Sequence, residues 1–190
     1  MEHNWIMDGY FRLVQRPQRL RNLEGLSESG LFAAAVSVML GWRETFPFQA
    51  AVERQFGGDP VSHFTMKVDP GLMRYELHNL DTGDFETYDG WAHEKIFNGK
   101  PQACSVRSVS PEAFVTRLAF PTSLGVWGRP GDNYTLTGGA TIEGDLIRLD
   151  LVHITEKALQ GALYVSAPLS MAVKMDTPNI SVSYNSICWI

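Results

Sequence analysis

Few residues of this sequence have the types and positions that acid–base chemistry requires. His153 continues the alternating run Ile147, Leu149 and Leu151, so a strand would place its imidazole on one face with three apolar side chains. Such an imidazole either fills the rim of a core or acts as a general acid or base beside an apolar pocket. Tyr75 lies in a second alternating run and is able to donate a hydrogen bond to a carbonyl on which charge develops. We therefore name His153 and Tyr75 as the candidate catalytic residues.

The sequence contains no motif for a cofactor or a metal. A glycine-rich phosphate loop, a dinucleotide fingerprint, a Ser-His-Asp arrangement and a Cys-x-x-Cys pair are all absent. His63, His78 and His93 are evenly spaced, but the predicted strands place His63 and His78 on the polar face. Metal ligands need an enclosed surrounding shell, so a surface cluster of histidines is the better interpretation. We expect neither a cofactor nor a metal.

Composition limits the class of protein. The chain has 190 residues, 44% of them hydrophobic, and 16 Lys and Arg against 21 Asp and Glu give a net charge of −5. This length is typical of one domain, and the negative charge argues against nucleic acid as a partner. No apolar run approaches the roughly 20 residues that span a bilayer, and the first residues do not resemble a secretory signal. We expect a single cytoplasmic domain over residues 1–190, without a membrane span.

The hydrophobic pattern divides this domain into two parts. Residues 1–45 predict an N-terminal lid and a helix, which begins after an N-cap at Ser27 or Ser29 and continues to about Met39. Residues 46–190 alternate between apolar and polar and are interrupted by turn dipeptides, which is typical of antiparallel strands. This second part predicts a β-cup.

The β-cup contains about nine to eleven strands by this pattern. A further short helix is predicted from an N-cap at Ser110 to about Leu118. Strands with one apolar face must close on themselves or curl around a helix to keep that face dry. The predicted fold is therefore mainly β with minor α, an antiparallel meander curled into a half-barrel or barrel with two or three helices.

Two turns decide which side chains face inward. A tight turn at Pro70-Gly71 predicts three apolar cross-strand pairs: Phe64 with Leu77, Met66 with Tyr75, and Val68 with Met73. The same register leaves Lys67 opposite Arg74, which only a wet outer face tolerates. A tight turn at Asp89-Gly90 places Trp91 beside Tyr88 on the inner side.

The inward side and the segments able to cover it supply the candidate ligand-binding residues. They are Phe64, Met66, Met73, Tyr88, Trp91, Trp127, Tyr134, Leu149 and Leu151. Aromatic and methionine side chains of this kind either line a cavity or fill an ordinary core. A separate apolar N-terminal segment favours the cavity, since it would cover the mouth.

The segment from His63 to Glu76, HFTMKVDPGLMRYE, resembles the strand-turn-strand of the LolA-like superfamily of bacterial lipoprotein carriers. Tyr88-Asp89-Gly90 resembles the Asp-Gly turn that follows there, and residues 162–175 resemble the closing hairpin. The resemblance implies a curled sheet with helices in its concavity. Such sheets hold acyl chains or, in a violacein-pathway relative, a pathway intermediate. A calycin-like cyclase barrel with an N-terminal lid is the competing resemblance.

Three functions follow from this pattern. The leading hypothesis is a cofactor-independent biosynthetic enzyme of secondary metabolism, which binds a bulky hydrophobic small molecule and promotes its cyclisation or rearrangement. The alternative is a non-catalytic carrier of an acyl chain, a pigment or another hydrophobic ligand. The third is a protein-interaction module, which predicts a filled cup and an exposed apolar patch. A homodimer is compatible with all three.

Overall fold

The alternation of apolar and polar residues becomes an alternation of buried and exposed side chains along most strands. The computed structural model describes residues 20, 23–103 and 112–190. In β1, Phe48, Ala50 and Val52 are buried while Gln49, Ala51 and Glu53 face the solvent or the sheet's outer side. Within these ranges the eleven strands are β1 Phe48–Phe56, β2 Ser62–Asp69, β3 Arg74–Asn79, β4 Phe85–Asp89, β5 Glu94–Phe97, β6 Lys100–Gln102, β7 Tyr134–Glu143, β8 Leu146–His153, β9 Gln160–Ser166, β10 Met171–Asp176 and β11 Ile180–Trp189.

All eleven strands belong to one antiparallel sheet in the order β6-β5-β4-β3-β2-β1-β11-β10-β9-β8-β7. The first and last strands pair with each other at the centre, and a meander runs outward from each of them. β6 and β7 are the two edges and do not pair, so the sheet is an open half-barrel rather than a closed barrel. The predicted mainly-β fold is confirmed, and its open form is the correct one of the two alternatives.

The α-helix of the described residues, α1 Glu28–Leu40, lies on the inner face of the sheet. The Ser27 side chain caps it by accepting a hydrogen bond from the Gly30 N–H at 3.2 Å, as one of the two predicted caps requires. The helix contacts β7, β8 and β10, and it buries Leu31, Ala35, Val38 and Met39. It therefore covers the half of the sheet that follows β11 in the strand order. In the described residues no helix is both long and apolar enough to cross a membrane.

A second covering element, which we call the 3₁₀ segment, consists of the 3₁₀ helices Glu112–Leu118 and Pro121–Ser123. The first of them contacts β1, β3 and β10. The predicted helix from Ser110 thus ends at Leu118 as expected but has 3₁₀ geometry, and Ser110 itself lies outside the described residues. The division into a lid at 1–45 and a cup at 46–190 stays a prediction, because residues 1–19 and 21–22 also lie outside them.

Buried hydrogen bonds tie the 3₁₀ segment to the sheet. The Tyr184 hydroxyl donates to the Val115 carbonyl at 2.6 Å and accepts from the Ala119 N–H at 3.2 Å. Burial raises the pKa of Tyr184, so this phenol stays protonated and able to donate across the physiological pH range. Tyr184 on β11 therefore positions the segment over the centre of the sheet.

The predicted register between β2 and β3 is wrong by two residues. The observed pairs are Phe64 with Asn79, Met66 with Leu77, Val68 with Tyr75, and Lys67 with Glu76. The turn uses four residues, 70–73, rather than two. The Asp69 carboxylate accepts a hydrogen bond from the Leu72 N–H at 3.0 Å, and Met73 adopts the left-handed conformation with φ 52°. A shift of two keeps every side chain of the strands on its predicted face and places opposite rather than like charges across from each other.

The same kind of error affects the hairpin of β4 and β5. β4 ends at Asp89, and residues 90–93 form a four-residue turn in which the Asp89 carboxylate accepts hydrogen bonds from the Trp91 and Ala92 N–H groups, both at 3.0 Å. Trp91 is therefore a turn residue, 69% exposed, and its predicted inward placement is wrong. Met73 likewise lies in a turn and not in β3. In both hairpins an aspartate side chain stabilises the longer turn.

Candidate functional site

The inner face of the half-barrel has two parts of different chemistry. The aliphatic half comprises the inward side chains of β7–β10, chiefly Ala140, Ile147, Leu149, Leu151, Leu163, Val165, Ala172 and Met175. The aromatic half comprises those of β2–β5, namely Phe64, Met66, Val68, Tyr75, Leu77, Glu86, Tyr88, Lys95 and Phe97. The α1 helix covers the aliphatic half, and the 3₁₀ segment crosses the middle of the sheet and reaches β3.

A narrow gap, which we call the seam, separates α1 from the 3₁₀ segment. It is lined by Val38, Met39, Trp42, Thr45, Leu118, Ala119, Pro121, Met171 and Ala172. Its volume is about 10 Å³, so in this conformation it holds at most one water molecule. The lining is almost wholly apolar, and it comes from α1, the short 3₁₀ helix Trp42–Glu44 that follows it, the 3₁₀ segment and β10.

A row of aromatic rings leads from the seam into the aromatic half. Trp42 meets Phe120 edge to face with ring centroids 5.3 Å apart, and Phe120 lies 6.3 Å from Tyr75. Tyr75 in turn stacks on Tyr88 at 5.3 Å. Rings at these distances and angles attract one another beyond the burial of their area. Tyr75, the predicted catalytic tyrosine, therefore lies one ring away from the seam wall.

The Tyr75 hydroxyl takes part in a buried polar network that the sequence analysis missed. It donates a hydrogen bond to one Glu86 carboxylate oxygen at 2.5 Å, and the Lys95 ammonium lies 3.2 Å from the other oxygen. Glu86 is only 1% exposed. The alternation of the strand was an available signal. Glu86 precedes the inward residue Tyr88 by two positions, and side chains two positions apart on a strand lie on the same face.

The two predicted catalytic residues do not share a site. Tyr75 is on β3 and His153 ends β8, and five strands lie between β3 and β8 in the sheet order. His153 instead stabilises the turn after β8, because its Nδ1 accepts a hydrogen bond from the Glu156 N–H at 3.0 Å. That bond leaves Nε2 as the protonated nitrogen of the neutral ring. Catalysis that uses both residues on one reacting group is therefore not supported by the geometry.

His153 does lie beside one other predicted site residue. Its ring meets that of Tyr134 edge to face with centroids 5.1 Å apart, and the two residues are cross-strand partners. The Tyr134 hydroxyl is buried, and in the described part of the chain it has no hydrogen-bond partner. This pair forms one rim of the aliphatic half, at the ends of β7 and β8.

The remaining predicted ligand-binding residues divide into three groups. Phe64, Met66, Leu149 and Leu151 are buried on the inner face, and Tyr88 is half-buried there. Trp127 is on the loop before β7, and its indole N–H donates to the Pro121 carbonyl at 2.8 Å, so it holds the 3₁₀ segment from the side. Met73 and Trp91 lie in turns. Whether any of them contacts a ligand stays a prediction.

A second concavity lies on the outer face of the sheet, where the sequence pattern predicts no binding site. This groove has a volume of about 480 Å³ and is open and partly polar, with Gln49, Thr65, Lys67, Glu76 and His78 among its lining residues. The register between β1 and β11 shifts between Gln49 and Ala51, and small side chains line the middle of the groove. A bulge of this kind bends a strand and deepens the sheet's curvature locally.

No protein-family model and no curated protein matches the chain. Solved structures do show similarity. In the Pseudomonas aeruginosa MucA/MucB complex, the matched chain is 13% identical, with a TM-score of 0.47 over 83% of this chain and 56% of that one. A conserved protein from Thermus thermophilus is 11% identical, with a TM-score of 0.45 over 82% of this chain and 88% of that one.

A LolA superfamily protein from Nitrosomonas europaea is also similar, at 11% identity and a TM-score of 0.35 over 82% of this chain and 93% of that one. This is the superfamily that the segment of residues 63–76 resembles. The present chain spans about 55% of the matched chain in another structure, MucB in complex with MucA. At such identities the similarity concerns the fold and carries nothing about a ligand.

Proposed function

We propose that this protein is a non-catalytic carrier that holds a hydrophobic small molecule in its β-cup, with the apolar part of the ligand inserted at the seam. The observation that supports this most directly is the seam itself. Apolar side chains of α1, the 3₁₀ segment and β10 meet there without filling the space between them. A ligand enters when α1 moves away from the 3₁₀ segment.

The energetics of such a movement favour an apolar ligand. The α1 helix contacts the aliphatic half through Leu31, Ala35, Val38 and Met39. An acyl chain or polycyclic ring that enters the seam replaces these apolar contacts with similar ones and keeps the surface dry. The 3₁₀ segment is held by the hydrogen bonds of Tyr184, so the helix is the element expected to move.

The separation of Tyr75 from His153 is the reason to prefer a carrier to a cyclase. Cyclisation or rearrangement in this cup stays a prediction, with Tyr75 and His153 as its candidate catalytic residues. A carrier releases its ligand unchanged, whereas an enzyme returns a product. Mass spectrometry of a ligand recovered after incubation with the protein distinguishes the two.

The binding proposal is tested with an uncharged fluorescent probe, N-phenyl-1-naphthylamine, titrated into the full chain and displaced by long-chain alkanes or alcohols. Met171 and Met175 provide a matched pair of variants, because both are methionines of β10 with 4% exposure but only Met171 lines the seam. Met171→Ala widens the seam, and we expect it to bind the probe several-fold more tightly. Met175→Ala removes the same atoms elsewhere in the core.

Both variants should lose a similar amount of stability, on the order of 2–5 kcal/mol. An equal change of probe affinity in the two variants would show that binding does not take place at the seam. Failure of the unsubstituted protein to bind any uncharged probe would contradict the carrier function itself.

A further inference from the structure

The groove on the outer face of the sheet takes no part in the proposed carrier function, because that function uses the inner face. Its volume of about 480 Å³ lies within the range of roughly 300–1,000 Å³ that is typical of small-molecule sites. It crosses five strands, from Ser186 on β11 to Phe85 on β4. Neighbouring strands are about 4.8 Å apart, so these two ends are separated by about 19 Å. A ligand of more than one ring fits along this length.

Two rows of cross-strand neighbours form the groove. The first row is Ala51, Thr65, His78 and Phe85, and the second row is Gln49, Lys67 and Glu76. Within each strand the members of the two rows are two positions apart, so both rows lie on the same outer face. Ala51 and Thr65 have short side chains, whereas Gln49 and Lys67 beside them have long ones. The first row is therefore the floor of the groove, and the second row is one of its walls.

Several polar side chains of the groove are available to a ligand. In the part of the chain that the structure describes, the side chains of Gln49, Glu76 and Ser186 make no hydrogen bond or ion pair within the protein. By contrast, Arg148 on the outer face of β8 lies 3.0 Å from Asp150. Polar groups in a concavity converge on one small volume, so a single ligand is able to contact several of them together.

Phe85 supplies an apolar wall that is held in place. The residue is 41% exposed, and its ring meets that of His78 edge to face with centroids 6.4 Å apart. The Phe85 N–H donates to Asn98 Oδ1 at 2.7 Å, and the Phe85 carbonyl accepts from the Asn98 N–H at 2.8 Å. The Asn98 side-chain amide in turn donates to the Asp84 carboxylate at 2.7 Å. A backbone fixed in this way presents the ring to a ligand with little entropy left to lose on binding.

The bulge in β11 brings Ser186 to the other end of the groove. Ser186 and Ile187 together lie opposite Ala50 of β1, and Ser186 has a φ of 50°. Residues other than glycine rarely adopt this left-handed conformation. Backbone strain persists only where the surrounding structure holds it, and it is common at binding sites. The strained bulge thus adds a hydroxyl group to the lining.

The types of these groups select the chemistry of the ligand. Hydroxyl and amide groups both donate and accept hydrogen bonds, and the lining has one acidic side chain, Glu76, and one basic side chain, Lys67. A ligand of one charge meets a group of its own sign there, whereas a neutral ligand with many hydroxyl groups does not. The ring of Phe85 favours a ligand with a flat apolar face. Sugar rings combine both features, since their hydroxyl groups lie around the edge and their C–H groups lie on the faces.

We propose that the groove binds a neutral oligosaccharide. One sugar ring packs on Phe85, and hydroxyl groups of this ring and the following rings form hydrogen bonds with Glu76, Gln49 and Ser186. The groove and the seam lie on opposite faces of the sheet. Sugar binding is therefore independent of the carrier function, and both sites are able to be occupied at the same time.

The test titrates the full chain with tetrasaccharides and measures binding by calorimetry and by saturation-transfer difference NMR. Cellotetraose, maltotetraose and tetra-N-acetylchitotetraose are the neutral probes. Tetragalacturonate and the chitosan tetramer carry negative and positive charges on rings of the same size. At least one neutral probe should bind with a Kd below about 1 mM, and about tenfold or more tightly than either charged probe.

Variants then assign the binding to the groove. Phe85→Ala removes the flat apolar face and should weaken binding about tenfold or more, whereas Phe85→Tyr should retain it. Phe56→Ala is the matched control, because Phe56 is 37% exposed and does not line the groove. Ala51→Trp fills the floor while leaving Phe85 in place, and it should abolish sugar binding. The same variant should bind the naphthylamine probe as the unsubstituted protein does.

Three outcomes would overturn the proposal. If none of the three neutral tetrasaccharides binds, the groove is not a sugar site. Equal or tighter binding of a charged tetrasaccharide contradicts the choice of a neutral ligand. Equal affinities in Phe85→Ala and Phe56→Ala, or unchanged affinity in Ala51→Trp, would mean that the sugar binds outside the groove.

Discussion

The aliphatic and aromatic halves of the inner face bury side chains in two different ways. In the aliphatic half, β7–β10 present small and branched side chains to α1, and Ile147, Leu149 and Leu163 are completely buried. In the aromatic half, β2–β5 present rings, and they also bury Glu86 against Lys95 and Tyr75. The two halves flank one pair of central strands, β1 and β11.

The two kinds of burial respond differently to movement of the covering elements. Apolar contacts are non-directional, so the aliphatic half tolerates movement of the helix that covers it. Hydrogen bonds and ion pairs depend on distance and angle, so the network in the aromatic half requires a fixed geometry. One half therefore tolerates rearrangement of its apolar contacts, whereas the other keeps its polar contacts only in a fixed arrangement.

The largest effect is expected from breaking the ion pair in the aromatic half. Lys95→Met removes the ammonium that lies 3.2 Å from the buried Glu86 carboxylate, which should lower the free energy of unfolding by about 3–5 kcal/mol. Denaturation with urea measures this loss. The double variant Lys95→Met/Glu86→Gln should recover most of it, because the buried carboxylate is then removed together with the ammonium. A loss below about 1 kcal/mol in the single variant would show that the pair is weakly buried in solution.

A somewhat smaller effect is expected in the aliphatic half. Leu149 is 0% exposed, and Leu149→Ala should lower the free energy of unfolding by about 3 kcal/mol through lost transfer energy and the remaining cavity. The residue is far along the sheet from Lys95, so the two losses should add within about 0.5 kcal/mol when both are introduced. Strong non-additivity would mean that the halves do not act independently.

An intermediate effect is expected where the 3₁₀ segment is attached between the halves. Tyr184→Phe leaves the Val115 carbonyl and the Ala119 N–H without their phenol partner, which should cost about 2 kcal/mol. Hydrogen exchange at residues 115–119 should become faster. Tyr164→Phe on β9 is the control, because this half-buried tyrosine lies under the Lys174 ammonium and away from the segment. Equal exchange in the two variants would argue against the role of Tyr184.

The smallest effect concerns the edge of the aromatic half. Partial burial raises the pKa of Asp89, but hydrogen bonds from the Ala92 and Trp91 N–H groups and the charge of Arg74 more than offset this and lower it below the usual value. A carboxyl group whose pKa is lowered in the folded state stabilises the fold at pH values above its unfolded-state pKa of about 4. This stabilisation is lost as the pH falls through the folded-state pKa. Asp89→Asn should therefore cost less than about 1 kcal/mol at pH 7 and still less near pH 3.

Thermal unfolding at the two pH values measures this change. The loss caused by Leu149→Ala should be the same at both, because the substitution removes no titratable group. A loss in Asp89→Asn that grows as the pH falls would contradict the assigned direction of the shift.

Local signals in the sequence were sufficient for much of the fold. Ser27 begins α1 because its side chain satisfies a backbone N–H that the helix leaves free, and this depends only on residues nearby. The inward faces of β2 and β8 follow from alternation, and Phe64, Met66, Leu149 and Leu151 are buried as predicted. Both features involve short stretches of chain whose chemistry is visible without the rest of the protein.

Turn length was the first thing that alternation did not determine. A turn of two and a turn of four residues keep the same faces, so the pattern cannot distinguish them. Asp69 and Asp89 select the longer form by accepting hydrogen bonds from turn N–H groups, and Met73 and Trp91 are therefore turn residues rather than strand residues. An Asp before a Pro-Gly or Gly-Trp pair was the available signal.

By itself the sequence determined that this chain is an antiparallel meander with an apolar inner face and a capped helix, because each of these depends on periodicity and local hydrogen bonds. Only the tertiary structure decided that the sheet stays open, that its first and last strands pair, and that Glu86 meets Lys95. It also separated Tyr75 from His153 by five strands. The physical reason is that strand order and cross-strand distance arise from contacts between residues far apart in the chain, which no local pattern encodes.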